Sequence, residues 1–353
     1  MAGRRERALE AARSVGADVL LAAHPSTVTW LSGYAPELET GPSPFALSPL
    51  AVLAPGRLPV LVVSEDEAEA AAATGCEVAA YPGFGLGPID PLGAAASALA
   101  PLVEGARVAT EAAALPAGLA WGLEWIDVGA ELARARAVKD TDEVERLRAA
   151  IAVCDAGQAA AREHAVAGIS ELELWASVRG AMEEKAGSRL PVLADLVSGE
   201  RTAEIGGPPG SRRLAEGDLV LCDLVPRVGG YWGDSCSTFA VGAPRERARR
   251  EHERVRAALD HAVALVRPGL VAGDLDAAVR SRLDYPHHTG HGVGALMHEE
   301  PRVVPGSRTV LEEGMVIALE PGTYGHGVGV RVEQVVLVSA DGCEVLSRHD
   351  VSL

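Results

Sequence analysis

Asp218-Leu-Val-Leu-Cys-Asp223 and Tyr231-Trp-Gly-Asp234 are two short strand-like runs on either side of a turn signal, Arg227-Val228-Gly229-Gly230. Folding them symmetrically about Val228-Gly229 sets Asp223 opposite Asp234. A second pair of runs, Val316-Ile-Ala-Leu-Glu320 and Val328-Gly-Val-Arg-Val-Glu333, flanks a glycine-rich loop, and its symmetric fold sets Glu320 opposite Glu333. Like charges directly opposite on one sheet face destabilise it, so two acidic pairs in otherwise apolar strands call for cations. Carboxylates suit hard divalent ions, and an added imidazole extends the choice toward Mn, Co, Fe or Zn. Between the hairpins, His287-His288-Thr289-Gly290-His291-Gly292-Val293-Gly294 and then His298-Glu299-Glu300-Pro301 gather four of the ten histidines into twelve residues. Four carboxylates and one histidine are too many for one ion and suit two that share carboxylates, roughly 3.5–4 Å apart, around a hydrolytic water.

Each feature has a plainer reading when taken singly. An isolated Asp in a strand is more often an edge or turn residue, Glu320-Pro321-Gly322 reads as a strand-to-turn exit, and a His- and Gly-rich loop is often only solvated. Jointly, the two hairpins and the histidine run outweigh these readings. Arg331 lies two residues before Glu333 and so on the same strand face. It can orient a metal carboxylate, bind a substrate carboxylate through its planar fork, or form an ordinary strand salt bridge.

The order Asp223, Asp234, His291, Glu320 and Glu333, set in CDL, GDS, HHTGHGVG, LEPGTY and VRVEQVVLV, resembles the pita-bread metallopeptidase family: methionine aminopeptidase, aminopeptidase P, prolidase and creatinase. The stretch from Ala17 through Thr29-Trp-Leu-Ser-Gly-Tyr34 is similar to the N-terminal domain of the prolidase, aminopeptidase P and creatinase branch. The resemblance implies an α/β N-terminal domain over residues 1–138 and an α+β pita-bread catalytic domain over 139–353. It implies two divalent ions, Mn foremost and Co, Zn or Fe as alternatives, held by the five residues, with Asp234 and Glu333 bridging. It further implies a hydroxide that attacks the scissile carbonyl, with Glu320 handling its proton. His298 matches the histidine that steadies the tetrahedral intermediate, and His287 matches a substrate-side histidine of the proline-specific branch. The expected reaction is Xaa-Pro dipeptidase or aminopeptidase hydrolysis. The alternatives are creatinase-like hydrolysis of a C–N bond in a small metabolite and a non-catalytic interaction module.

Three departures from the family pattern qualify the substrate. Gly206, in Glu204-Ile-Gly-Gly207-Pro208-Pro209, stands where prolidases and aminopeptidases usually carry a histidine. Cys236 replaces the usual Thr two residues after the second Asp, and Trp30 stands where relatives often have Tyr. The resemblance also implies a homodimer in which Trp30 or the loop 41–49 gates the neighbouring site.

Length and charge fit this frame. A chain of 353 residues has room for two cores, and 48% hydrophobic with 23% charged residues is ordinary globular composition. The net charge of −17, from 32 Lys and Arg against 49 Asp and Glu, argues against a nucleic-acid partner. The five cysteines show no zinc or disulfide spacing. Neither a leader nor a membrane span is visible, so the default expectation is a cytoplasmic protein with no membrane partner. Helices are expected at 4–14, 65–74, 143–166, 170–187, 244–266 and 272–283, and N-terminal strands at 18–23, 50–54 and 58–63. Gly41-Pro-Ser-Pro44 and residues 81–88 read as loops, and Asp140 or Thr141 as the cap of the first catalytic-domain helix.

Overall fold

The computed structural model describes residues 1–36, 45–120 and 122–353. The chain divides into two compact units, Met1–Arg136 and Ala137–Leu353.

Among the described residues the first unit holds six strands: β1 (Val19–Ala22), β2 (Leu50–Leu53), β3 (Val60–Ser64), β4 (Glu77–Tyr81), β5 (Val108–Thr110) and β6 (Trp125–Asp127). They form one mixed sheet in the order β4-β3-β2-β1-β5-β6. The three strands expected from sequence are continuous apolar runs because every residue in them is buried, as in a sheet covered on both faces. The helices α1 (Ala2–Ser14), α2 (Pro25–Ser32), α3 (Ala68–Ala72), α4 (Pro91–Val103), α5 (Ala117–Ala120) and α6 (Gly129–Ala137) accompany the sheet among the described residues. Helix α2 went unread in the sequence because Thr27-Val28-Thr29 is β-branched and a poor helix former. It forms because those three side chains are fully buried, Pro25 starts it and Gly33, at φ 79°, ends it. Trp30 is fully buried too, so it has no surface with which to gate a site. Residues 41–44 of the other expected gate lie outside the described residues.

The second unit begins with α7 (Thr141–His164) and α8 (Glu171–Ala186), each opened by a capping box, Asp140 with Glu143 and Ser170 with Glu173. They cover a sheet of β7 (Val192–Ser198), β8 (Leu219–Val228) and β10 (Ser235–Ala240), with β9 (Tyr231–Trp232) extending β8 at the hairpin tip. Leu196, Val220, Cys222 and Leu224 face the helices and pack with Leu174, Val178 and Met182. Their neighbours in the alternation, Val197 and Leu221, form a second small cluster with Cys236 on the opposite face. Helices α9 (Glu246–Leu265) and α10 (Ala272–Arg280) then pack on a five-stranded sheet, order β12-β11-β13-β16-β17. Its strands are β11 (Gly290–Gly292), β12 (Glu299–Val303), β13 (Val316–Leu319), β16 (Gln334–Ser339) and β17 (Gly342–Val345), while β14 (Gly322–Gly325) and β15 (Val328–Arg331) extend the β13–β16 hairpin. No helix among the described residues is long and apolar enough to cross a membrane.

The two hairpins differ from the sequence reading in one respect. In the second, Leu319 pairs with Gln334 and Gly322 with Arg331, a register that faces Glu320 with Glu333 as expected. In the first, Val228 pairs with Tyr231 and Asp223 with Cys236, not with Asp234. The turn centres on Gly229-Gly230, at φ 54° and 86°, because a two-residue turn of this kind needs positive φ at both central residues, and β-branched Val228 resists it.

Candidate metal centre

Three of the four acids sit at breaks between strands. Asp234 lies between β9 and β10, Glu320 between β13 and β14, and Glu333 between β15 and β16, while Asp223 is within β8. The hairpins are joined back to back, Glu333 N–H donating to Cys236 O at 2.9 Å and Thr238 Oγ1 to Arg331 O at 2.8 Å. This brings oxygens of Asp223, Asp234 and Glu333 within 4.8 Å of one another.

His291 reaches the same centre from β11, between β12 and β13. Its flanking glycines are required there, since a Cβ at Gly290 would come 2.1 Å from Ala318 O and one at Gly292 2.1 Å from Glu300 O. The His291 Nδ1 lies 3.0 Å from Gly292 O, so that nitrogen carries a proton and Nε2 faces inward, a ligand when a cation is bound and a donor to Glu320 when protonated without one. There it meets only acceptors, Glu320 Oε1 at 3.3 Å and Asp234 Oδ2 at 3.5 Å. Asp223 Oδ1 and Glu333 Oε1 are buried without a hydrogen-bond partner among the described residues. Converging acceptors with unused lone pairs fit divalent cations, and the donor set, four carboxylates and one imidazole, suits hard or borderline ions.

Without cations, protons must relieve the crowding. Burial and neighbouring negative charge push the Asp234 and Glu333 carboxyls well above their ordinary range, and burial pushes Asp223 up to about 6 against the pull of Arg331. Burial acts on Glu320 in the same direction, yet hydrogen bonds from His288 and His291 hold it well below the ordinary range. The set therefore pairs one firmly ionised acid with three whose carboxyls hold a proton more readily than usual when no metal is present.

Around this centre, Arg331 is 5% exposed and its Nη2 donates to Asp223 Oδ2 at 2.5 Å. Its Nη1 donates to Ile205 O at 2.7 Å, a carbonyl aimed by a backbone at φ 75°, costly for a β-branched residue. These contacts match the carboxylate-orienting reading of Arg331; a substrate carboxylate would have to displace them. His287 Nε2 is 2.8 Å from Tyr324 Oη. The His298 ring lies 4.0 Å from that of His291, and partial desolvation with its histidine neighbours lowers its pKa to about 4, so it is a neutral hydrogen-bond donor at neutral pH.

Four nearby residues were missed by sequence reasoning. His288 Nε2 is 2.8 Å from Glu320 Oε1; the doublet with His287 was its only signal. Arg302, opposite His291 on β12, places Nη2 3.3 Å from His288 Nδ1 and leaves Nε unpartnered. Tyr324 follows Gly322 on the site face of β14 and hydrogen-bonds His287. Asp195 on β7 is the register partner of Asp223; an acid in an apolar strand was its signal.

Comparison with known proteins gives the family and the fold. The family model described as Metallopeptidase family M24 matches residues 145–340, and that of the Creatinase/Prolidase N-terminal domain matches residues 4–149. An Xaa-Pro dipeptidase of Pyrococcus furiosus is 35% identical over 226 residues, 62% of this chain and 65% of that one, so the alignment spans just under two thirds of that relative's length. In structure, the prolidase of Pyrococcus horikoshii OT3 superposes with a TM-score of 0.85 at 27% identity, covering 99% of both chains. Dipeptidase PepE of Mycobacterium ulcerans gives 0.80 at 28% identity, covering 100% of this chain and 96% of that one.

Proposed function

This chain belongs to metallopeptidase family M24, and on that premise we propose that it hydrolyses Xaa-Pro bonds in short peptides, as a dipeptidase or aminopeptidase. The observation that carries the reading is the inward-facing acceptor set of Asp223, Asp234, His291, Glu320 and Glu333, with two buried oxygens lacking partners. These five residues would hold two divalent ions, Mn foremost. Bound there, the ions supply Lewis acidity and a water acidic enough to be a nucleophile near neutral pH.

The protein's own groups do the rest. Glu320, positioned by His288, accepts the proton of the attacking water. Neutral His298 donates a hydrogen bond to the oxygen that gains charge as the carbonyl becomes tetrahedral. His287, fixed by Tyr324, stands on the substrate side. Arg331 orients Asp223, and Arg302 braces His288. Xaa-Pro dipeptidase and prolidase are the names borne by relatives in both sequence and structure, which favours peptide hydrolysis over creatinase-like opening of a metabolite C–N bond. A homodimer and a cytoplasmic location belong to the same reading; light scattering on the purified protein checks the first.

The test is proline release from a panel of Xaa-Pro dipeptides and longer Xaa-Pro peptides by manganese-loaded protein, with Asp234→Asn as the blank. Release that the blank lacks is expected. No release from protein that holds two ions would sink the Xaa-Pro assignment.

A further inference from the structure

Beside the candidate ligands stands a carboxylate that the proposed chemistry leaves unused. Asp195 pairs in register with Asp223 across β7 and β8, so both side chains project from the same sheet face. Three acids step outward across that sheet, with side-chain exposures of 6% at Asp234, 14% at Asp223 and 38% at Asp195. Arg331 is shared unequally between the outer two, its Nη2 at 2.5 Å from Asp223 and 3.5 Å from Asp195. Among the described residues Asp195 has no other ion pair. Its outer position also keeps it out of the close group formed by Asp223, Asp234 and Glu333.

Gly206 makes the room for it. A Cβ at Gly206 would lie 1.9 Å from Asp195 Oδ2 and 2.6 Å from its Cγ, so the carboxylate fills the volume that a side chain at 206 would claim. Apolar surface flanks it: Leu193, two residues along the same strand face, is 54% exposed, and Ile205, next to Gly206, is 38% exposed. A half-exposed carboxylate beside exposed apolar side chains matches a flexible methylene stem that ends in a cation. The strand spacing, roughly 4.8 Å, sets it beyond Asp223. A substrate α-ammonium, two bonds from the scissile carbonyl, stays close to the centre, whereas a long side chain spans the added distance.

We propose that Asp195 is a specificity-determining residue that selects substrates with a lysine or arginine side chain on the N-terminal side of the scissile bond. This rests on the peptidase reading above, so its test includes binding measured apart from turnover. Manganese-loaded protein is titrated calorimetrically with lysine amide and with norleucine amide, side chains of similar length that end in an ammonium or a methyl group. Wild type binds lysine amide about tenfold more tightly, the worth of one charge-assisted hydrogen bond at a partly exposed site. In Asp195→Asn the ratio falls to near one. Gly206→Ala keeps the charge but displaces the carboxylate, and it narrows the ratio as well. In kinetics, the preference for Lys-Pro over norleucyl-proline collapses in Asp195→Asn, mainly through KM.

Equal affinities in wild type overturn the proposal. So does a ratio that survives Asp195→Asn while both affinities fall together, the signature of a residue that only braces Arg331. Should wild type release no proline from any dipeptide, the peptidase reading fails, and the amide titration still decides the role of Asp195.

Discussion

The two hairpins perform the same task, presenting acids to one centre, yet they turn differently. The β13–β16 hairpin turns on His326-Gly327, at φ 50° and 76°, and the β8–β10 hairpin on Gly229-Gly230. In the first case a histidine accepts the left-handed conformation; in the second two glycines do, and moving the turn by one residue places Cys236 rather than Asp234 opposite Asp223. Register therefore follows the backbone demand of the turn, and the acids follow the register. The centre still assembles because Asp234 sits in a strand break, free of strict face alternation, and because Glu333 N–H ties that hairpin to its partner at Cys236.

The largest way to break the comparison is to remove one acid from either hairpin. Asp234→Asn and Glu333→Gln should each lower proline release by at least about a hundredfold, more than loss of an outer partner costs; a much smaller loss from one hairpin would make that hairpin auxiliary. Next comes the cation that bridges to the first hairpin from the second. Arg331→Met leaves Asp223 buried beside Asp195 without a guanidinium, and the metal-free protein should lose roughly 3–5 kcal/mol in urea unfolding.

A pH scan sharpens the difference further. In metal-free protein the Asp223 carboxyl is raised by burial to about 6, above its unfolded value of about 3.9, so between these pH values the folded state binds the extra proton. The contribution of Asp223 to stability is therefore present below about pH 4 and lost as pH rises through about 6. Thermal melts of metal-free wild type should lose stability over that window relative to Asp223→Asn, and saturating metal should remove the difference. The smallest effects lie at the tips. Gly230→Ala should cost about 1 kcal/mol by forcing a side chain into positive φ, whereas His326→Gly should gain less than about 1 kcal/mol by relieving it, both read by urea unfolding.

Much of this was legible in the sequence, and unevenly. The apolar runs of β1 to β3, the Asp140 cap of α7 and the Glu320–Glu333 register follow from local patterns that the tertiary structure leaves intact. Helix α2 was not legible because burial overrides the preferences of Thr27, Val28 and Thr29. The first hairpin slipped because its turn signal contained two possible centres, and only the need for positive φ at both positions decides between them. The five candidate ligands could be named since acids in apolar strands are conspicuous. Asp195, His288 and Arg302 were not named because each owes its place to a partner distant in sequence: Asp223 across β7–β8, Glu320 and His291.

The most direct test of the account is the number of manganese ions bound per chain, measured by titration followed with electron paramagnetic resonance and confirmed by elemental analysis. The account predicts two ions with spin coupling between them in wild type, and loss of the coupled pair in Asp234→Asn. A single uncoupled ion in wild type, or a coupled pair that persists in Asp234→Asn, would contradict it.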